Sequence, residues 1–282
     1  MQKNDRIMED RKIHIMGIVN LTDDSYYAES RCLGRDGKPD ISRTLGRIGT
    51  MLSEGADIID LGACSTRPGS EGIGADEEWR RLSPVLDAVR KEYPDARISV
   101  DTYWSSVVRK TYDLIGDFIV NDISAGEDDP LMLPAVAELG LTYIAMHKRG
   151  NPATMQGLCD YSDVTEEVIS YFRSFADRAE KAGIQDWILD PGFGFAKTVE
   201  QNWQMLRELR KFSALGRRIL VGVSRKSMVY RLFGITPEEA LPQTQVLHFA
   251  ALENGADILR VHDVAEAVRT TVSWRMLRKI SG

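Results

Sequence analysis

The sequence predicts one α/β domain, a (β/α)8 TIM barrel, and three observations point to it. Eight short β-rich apolar runs alternate strictly with eight longer segments of helical periodicity. The runs are nearly continuous in apolar residues, as parallel strands buried on both faces require. No Pro/Gly/Ser-rich linker divides the 282 residues, a length that suits a single barrel of this kind. The expected boundaries are a polar tail over 1–12 and a barrel over 13–282.

Taken in order, the first strand, 13–20, leads through a long polar connection over 21–40 to a helix over 41–54 that Gly55 stops. The second, 57–62, passes through another long connection, 63–76, to a helix over 77–93. Strands at 97–102, 118–124 and 141–147 precede helices at 104–115, 130–139 and 164–182, the last two stopped by Gly140 and Gly183. Strand 187–192 precedes a helix over 200–212. Strand 218–224 precedes a helix over 236–253, where Thr236-Pro237-Glu238-Glu239 reads as an N-cap, a first-turn proline and two acids suited to the helix dipole. Strand 257–262 and a helix over 264–279 complete the alternation. Gly55-Ala56-Asp57 and Gly255-Ala256-Asp257 open two of the strands alike, a weak echo of repeated βα units. Eight parallel strand–helix pairs is the number that closes the barrel.

Composition narrows the function class. Hydrophobic residues at 43% and charged residues at 28% describe an ordinary soluble globular chain. A net charge of −6 gives no basic face for nucleic acid. Three cysteines, Cys32, Cys64 and Cys159, form no CxxC pair, so neither a disulfide framework nor a structural zinc site is expected. No apolar stretch is long enough to span a bilayer and residues 1–12 have no apolar core of a signal peptide, so no membrane partner and a reduced, cytoplasmic setting are expected.

The polar residues collect at the C-terminal ends of the predicted strands, the face on which barrels build their sites. They are Asn20, the Ser65-Thr66-Arg67 run, Asp101, Asn121, His147, Asp190, Lys226, and Arg260 with His262. Asp101 alone reads equally well as a turn former. Asp101, Asp190 and Asn121 together are a different matter, because carboxylates and an amide converging on one mouth are costly to desolvate without partners. A ligand with several N–H donors, such as an aminopyrimidine ring, satisfies them. Lys226 reads either as a solvated helix-start lysine or as a donor to a ring carbonyl or nitrogen. Arg260 and His262 alternate along one strand and so share a face. They read either as a core ion pair or as an anion site, for which the guanidinium fork matches phosphate oxygens. Asn20 offers a neutral oxygen of the kind Mg2+ accepts beside substrate phosphates and water, though alone it is a poor metal site. The two long connections, 21–40 and 63–76, read as mobile lids.

These residues sit in stretches that resemble the dihydropteroate synthases over nearly the whole chain. The stretches are Met16-Gly17-Ile18-Val19-Asn20, Ser65-Thr66-Arg67-Pro68-Gly69, Ser99-Val100-Asp101-Thr102, Val120-Asn121-Asp122-Ile123-Ser124 and Met146-His147. Further on come Leu189-Asp190-Pro191-Gly192-Phe193-Gly194-Phe195, Gly222-Val223-Ser224-Arg225-Lys226-Ser227 and Arg260-Val261-His262-Asp263-Val264. The resemblance implies condensation of a dihydropterin methyl diphosphate with 4-aminobenzoate to give dihydropteroate and diphosphate. It implies that Asp101, Asn121, Asp190 and Lys226 hold the pterin and that Met146 lines its pocket. Arg260 and His262, with Thr66 and Arg67, would bind the diphosphate, Val261 would join the substrate-binding set, Asn20 would reach Mg2+, and Ser224 and Phe195 would lie near the aminobenzoate, where sulfonamides compete. Asp101, Lys226, Arg260 and His262 would carry the catalysis. The family is usually a homodimer. Val264, Val268, Val272, Trp274 and Leu277 read either as a partner surface or, more simply, as the face packed on the barrel.

Three positions depart from the family pattern: Asp23-Asp24-Ser25-Tyr26-Tyr27 lacks a usual proline, Ala63-Cys64 replaces a Gly-Glu pair, and Ala196 stands where glycine is usual. Two rival readings remain. A methyltetrahydrofolate-dependent corrinoid methyltransferase needs the Asp101, Asn121 and Asp190 set but no diphosphate site, and a catalytically silent pterin-binding barrel binds without turnover.

Overall fold

The computed structural model describes residues 12–22, 37–64, 72–151 and 154–280. Eight strands alternate with helices: β1 (His14–Asn20), α1 (Ile41–Glu54), β2 (Ile58–Gly62), α2 (Ala75–Glu92), β3 (Ile98–Asp101), α3 (Ser105–Ile115), β4 (Ile119–Asp122), α4 (Met132–Leu139) and β5 (Thr142–Met146). There follow α5 (Val164–Ala182), β6 (Trp187–Asp190), α6 (Val199–Arg207), β7 (Leu220–Val221), α7 (Ser227–Phe233), α8 (Leu241–Glu253), β8 (Ile258–Val261) and α9 (Val264–Ile280). The sheet runs β6-β5-β4-β3-β2-β1-β8-β7, every pair parallel. A parallel bridge from Leu189 to Ile219 joins β6 to β7, and the Leu189 N–H donates to the Arg218 carbonyl at 3.0 Å. The sheet thereby closes into the barrel that the alternation predicts.

Alternation along each strand makes two layers of core. One set of side chains faces the helices, among them Leu61, Val100, Tyr143, Leu189 and Leu259. The other set fills the barrel: Met16, Ile58, Ile119, Ile144, Ile188, Leu220 and Ile258, a separate cluster. Each such aliphatic side chain contributes roughly 1.5–3 kcal/mol by leaving water. This plug is the floor of the site, because the residue two positions further along each strand points the same way and lies nearer the mouth.

The Gly-Ala-Asp echo has a structural meaning. Gly55 and Gly255 end α1 and α8 at φ of 103° and 106°, a conformation that glycine adopts without a Cβ penalty. The following aspartates then cap a neighbouring strand: Asp57 Oδ2 accepts from the Ile15 N–H at 2.9 Å, and Asp257 Oδ2 from the Ile219 N–H at 2.8 Å.

The structure corrects the reading of residues 227–253. The helix expected over 236–253 begins at Leu241, and Glu238–Ala240 form a 3-10 turn. The physical reason is Pro242, which has no N–H to give the Glu238 carbonyl and whose ring crowds it. Arg225 Nη1 takes the Pro237 and Glu238 carbonyls instead, at 2.8 and 2.7 Å. A short helix that periodicity missed, α7, precedes this turn and stops at Gly234 in the left-handed region. The helix expected over 200–212 is α-helical only to Arg207 and continues as a 3-10 segment, Leu209–Leu215.

Candidate active site

The mouth is assembled by register. Asp101 pairs across β2 with Gly62 and across β4 with Asn121, so both side chains stand at one height. Two positions past Ile58 comes Asp60, past Ile119 comes Asn121, past Ile188 comes Asp190, and past Ile258 comes Arg260. The arginine is the electrostatic centre. Its Nε donates to Asp60 Oδ2 at 2.6 Å and its Nη2 to Asp101 Oδ2 at 2.9 Å. Asn121 Nδ2 reaches the Asp60 carboxylate at 3.2 Å. Asp60 is fully buried, and its Coulombic attraction to Arg260 is little screened there.

Burial pushes the Asp101 carboxyl up to about 7; Arg260 opposes the shift, and Asp60, Asp122 and Asp190 add to it. Burial also raises Asp190, against the pull of Lys226 and of the Gly192 N–H, which donates to Asp190 Oδ1 at 2.8 Å. Lys226, at the start of α7, is brought down to about 8 by burial, with Asp190 resisting and Arg260 helping. Its ammonium donates to the Phe193 carbonyl at 2.6 Å and lies 5.0 Å from the centre of the Phe195 ring.

At the β7–β8 side, the His262 N–H donates to Ser224 Oγ at 3.2 Å, and the same oxygen lies 3.0 Å from His262 Nδ1. Burial first, then the cations Arg260, Arg47, Arg225 and Lys226, hold His262 down at about 3. It is a neutral donor at pH 7. Arg225 has no place in the mouth. It is buried, bidentate to Asp263 at 2.8 Å, and held at a φ of 52°.

The structure therefore brings Asp101, Asn121, Asp190, Lys226 and Arg260 to one mouth, with Met146 buried beside Asp190 in register and Ser224 against His262. Asn20, half-buried, ends β1 opposite Gly62. Val261 is the exception, since alternation turns its side chain into the outer core and leaves only its backbone toward the site. Thr66, Arg67 and the altered first loop over 23–27 lie outside the described residues. Arg260 forms the core ion pair of the first sequence reading, through Nε to Asp60 and Nη2 to Asp101.

Two residues escaped the sequence reading. Asp60 was hidden inside the apolar run Ile58-Ile59-Asp60-Leu61, where a charge that period-2 alternation points into the barrel was itself the signal. Lys197, 5% exposed, lies behind the β6 loop and donates to the Gly192 and Phe195 carbonyls, with His147 Nδ1 beside it, each at 3.0 Å. His147, also buried, faces this lysine, and burial with the Lys197 and Arg149 charges holds its pKa well below the usual histidine range. Among the described residues no group of three or more His, Cys, Asp or Glu could hold a metal ion, and no helix is long and apolar enough to cross a membrane. Cys64 Sγ lies 3.6 Å from the Tyr103 hydroxyl, and the Cys159 thiol donates to the Met155 carbonyl at 3.9 Å.

Comparison with known proteins agrees with this geometry. Residues 16–262 match the family described as pterin binding enzyme. The dihydropteroate synthase of Escherichia coli (strain K12) is 40% identical over 259 residues, covering 90% of this chain and 88% of that protein. The dihydropteroate synthase of Synechocystis sp. is likewise 40% identical over 259 residues, covering 90% of this chain and 86% of its own length. Among solved structures, Yersinia pestis dihydropteroate synthase in a sulfonamide drug complex superposes with a TM-score of 0.88 at 34% identity, covering 95% of each chain. The Xanthomonas albilineans enzyme with 4-aminobenzoic acid gives 0.85 at 34% identity, covering 96% of this chain and 94% of that one.

Proposed function

The chain belongs to the pterin binding enzymes, as a dihydropteroate synthase, and we propose that its barrel mouth joins a dihydropterin methyl diphosphate to 4-aminobenzoate, releasing diphosphate. The observation that carries the assignment of roles is the Asp60–Arg260–Asp101 triad with Asn121, Asp190 and Lys226 around it. Carboxylates and an amide oxygen accept the N–H groups of a flat aminopyrimidine ring, and Lys226 donates to its carbonyl or ring nitrogen. Met146 supplies an apolar wall.

The arylamine needs no base before attack, because its lone pair is free at neutral pH. The difficult event is breaking the bond from the pterin methylene carbon to the diphosphate oxygen. The bonding pair leaves with diphosphate, the amine nitrogen forms the new C–N bond, and its proton is lost to solvent. Asp101 and Asp190 stabilise positive charge developing on the pterin, while Arg260 and the His262 ring stabilise the leaving oxygens. His262 does this as a neutral donor, and the bound dianionic group draws its pKa upward.

Mg2+ fits the site in one mode only. With no acidic cage among the described residues, a single amide oxygen from Asn20 suits an ion that keeps its waters and rides on substrate phosphates. When bound it neutralises diphosphate charge. The altered first loop makes a silent barrel the reading to test against.

We further propose a homodimer through α8 and α9. Val264 and Trp274 pack on the barrel, as the simpler sequence reading has it, but Val246, Val272, Met276 and Leu277 stand 66%, 52%, 51% and 58% exposed.

The deciding experiment incubates the protein with Mg2+, 4-aminobenzoate and the dihydropterin methyl diphosphate, and follows diphosphate with and without the arylamine. Arylamine-dependent diphosphate with dihydropteroate is the expected result. Pterin binding without product moves the chain to the silent reading.

A further inference from the structure

We infer that Lys197 is a positioning residue for the arylamine side of the mouth, a clamp that fixes the loop after β6 and so places Phe195. This rests on the dihydropteroate synthase reading of the site. Lys197 is buried and its bonds to side chains and backbone include no carboxylate. Three polar atoms surround Lys197 Nζ at 3.0 Å, the Gly192 and Phe195 carbonyls, which accept from it, and His147 Nδ1, while burial brings its pKa down to about 7. A methionine would fill the same volume without desolvating a cation, so packing alone gives no reason for a lysine here.

What the clamp holds is the turn that carries the substrate-facing groups. Drawing the Gly192 and Phe195 carbonyls inward leaves the Phe193 carbonyl turned to Lys226, at 2.6 Å, and the Phe195 ring beside the same ammonium. The Gly194 N–H is tied to Asn202 Oδ1 at 2.7 Å and the Phe195 N–H to the Gly192 carbonyl at 3.2 Å. Ala196, fully buried, is held at a φ of 47° immediately before the lysine. A non-glycine residue stays in that region only where its surroundings impose it. Lys197 and the strained residue before it therefore act as one device behind the loop, while Lys226 meets the loop from the front.

The test compares Lys197→Met, which keeps volume and loses the donors, with Lys197→Gln, which keeps part of the hydrogen bonding. Steady-state KM for each substrate, kcat, pterin Kd without arylamine, and amide exchange at Gly194 and Phe195 are measured in the full-length protein. In Lys197→Met the KM for 4-aminobenzoate should rise at least tenfold, pterin Kd should move less than twofold, and the two amides should exchange at least tenfold faster. Lys197→Gln should recover part of each change, and it carries the comparison if the methionine variant does not fold. Unchanged KM for 4-aminobenzoate with unchanged exchange overturns the clamp. So does an equal loss for both substrates, which is the mark of a general structural role. If the wild type makes no dihydropteroate, the functional reading falls, and the exchange data still decide whether Lys197 fixes the loop.

Discussion

At the scale of single residues, the mouth is governed by carboxyl groups held away from water. Asp101 sits near neutrality, at about 7, because burial outweighs the Arg260 contact. The anion stabilises the developing pterin charge, so kcat/KM for the pterin substrate should rise as pH passes upward through about 7. Asp101→Asn should abolish that limb and lower turnover on the order of 100-fold, while changing unfolding free energy by only about 1 kcal/mol. Near-normal turnover in a pH series on the variant would count against the role. Glu78, in the first turn of α2, poses the opposite case. It is fully buried, and no cation lies in ion-pair contact with its carboxyl group among the described residues. Burial pushes it up to about 8, with Asp101 and Asp122 adding and Thr102 and Arg81 opposing. From its ordinary 4.5 up to about 8 the unfolded chain has released this proton and the folded chain still holds it, so stability falls as pH rises through that window. Glu78→Gln should flatten that decline, by an amount on the order of 3 kcal/mol. Denaturant melts from pH 5 to pH 9 check this, and parallel slopes for the two proteins would refute it.

At the scale of elements, the β6 loop depends on a close approach between two backbones. A Cβ at Gly192 would stand 1.9 Å from the His147 carbonyl, and this glycine also has a φ of 73°. Gly192→Ala must therefore push β5 and β6 apart at the mouth, costing about 3 kcal/mol or more in urea unfolding, above the usual range for point changes. A loss below about 1 kcal/mol would show that the mouth is softer than drawn. The elements also show how far sequence patterns reach. Long periodic helices such as α1 and α5 have the boundaries that their capping residues and glycines announce. The seven-residue α7 was missed, since two turns carry too little periodicity to separate from a loop. The start of α8 was misread because two prolines compete for its first turn, and the carbonyls captured by Arg225 decide between them.

At the scale of the whole molecule, the α8–α9 face predicts assembly. Met276→Glu should leave the barrel folded and shift the mass in solution from twice to once the 31.6 kDa chain. Sedimentation or light scattering reads this directly, and a wild-type chain that runs as a monomer removes the dimer. The barrel was legible in the chain alone, because strict alternation of eight apolar runs with helices leaves one way to bury both faces of a parallel sheet. Strand alternation and the C-terminal ends of strands are local properties, so Asp101, Asn121, Asp190 and Arg260 were legible at the mouth, whereas Asp60, inside an apolar run, was not. What those side chains do to one another came from the folded barrel. Arg260 and Asp60 are 200 positions apart, and Lys197 meets His147 from 50 positions away. Pairings of that span follow from how the strands close on one another, and their strength comes from the low dielectric that closure creates.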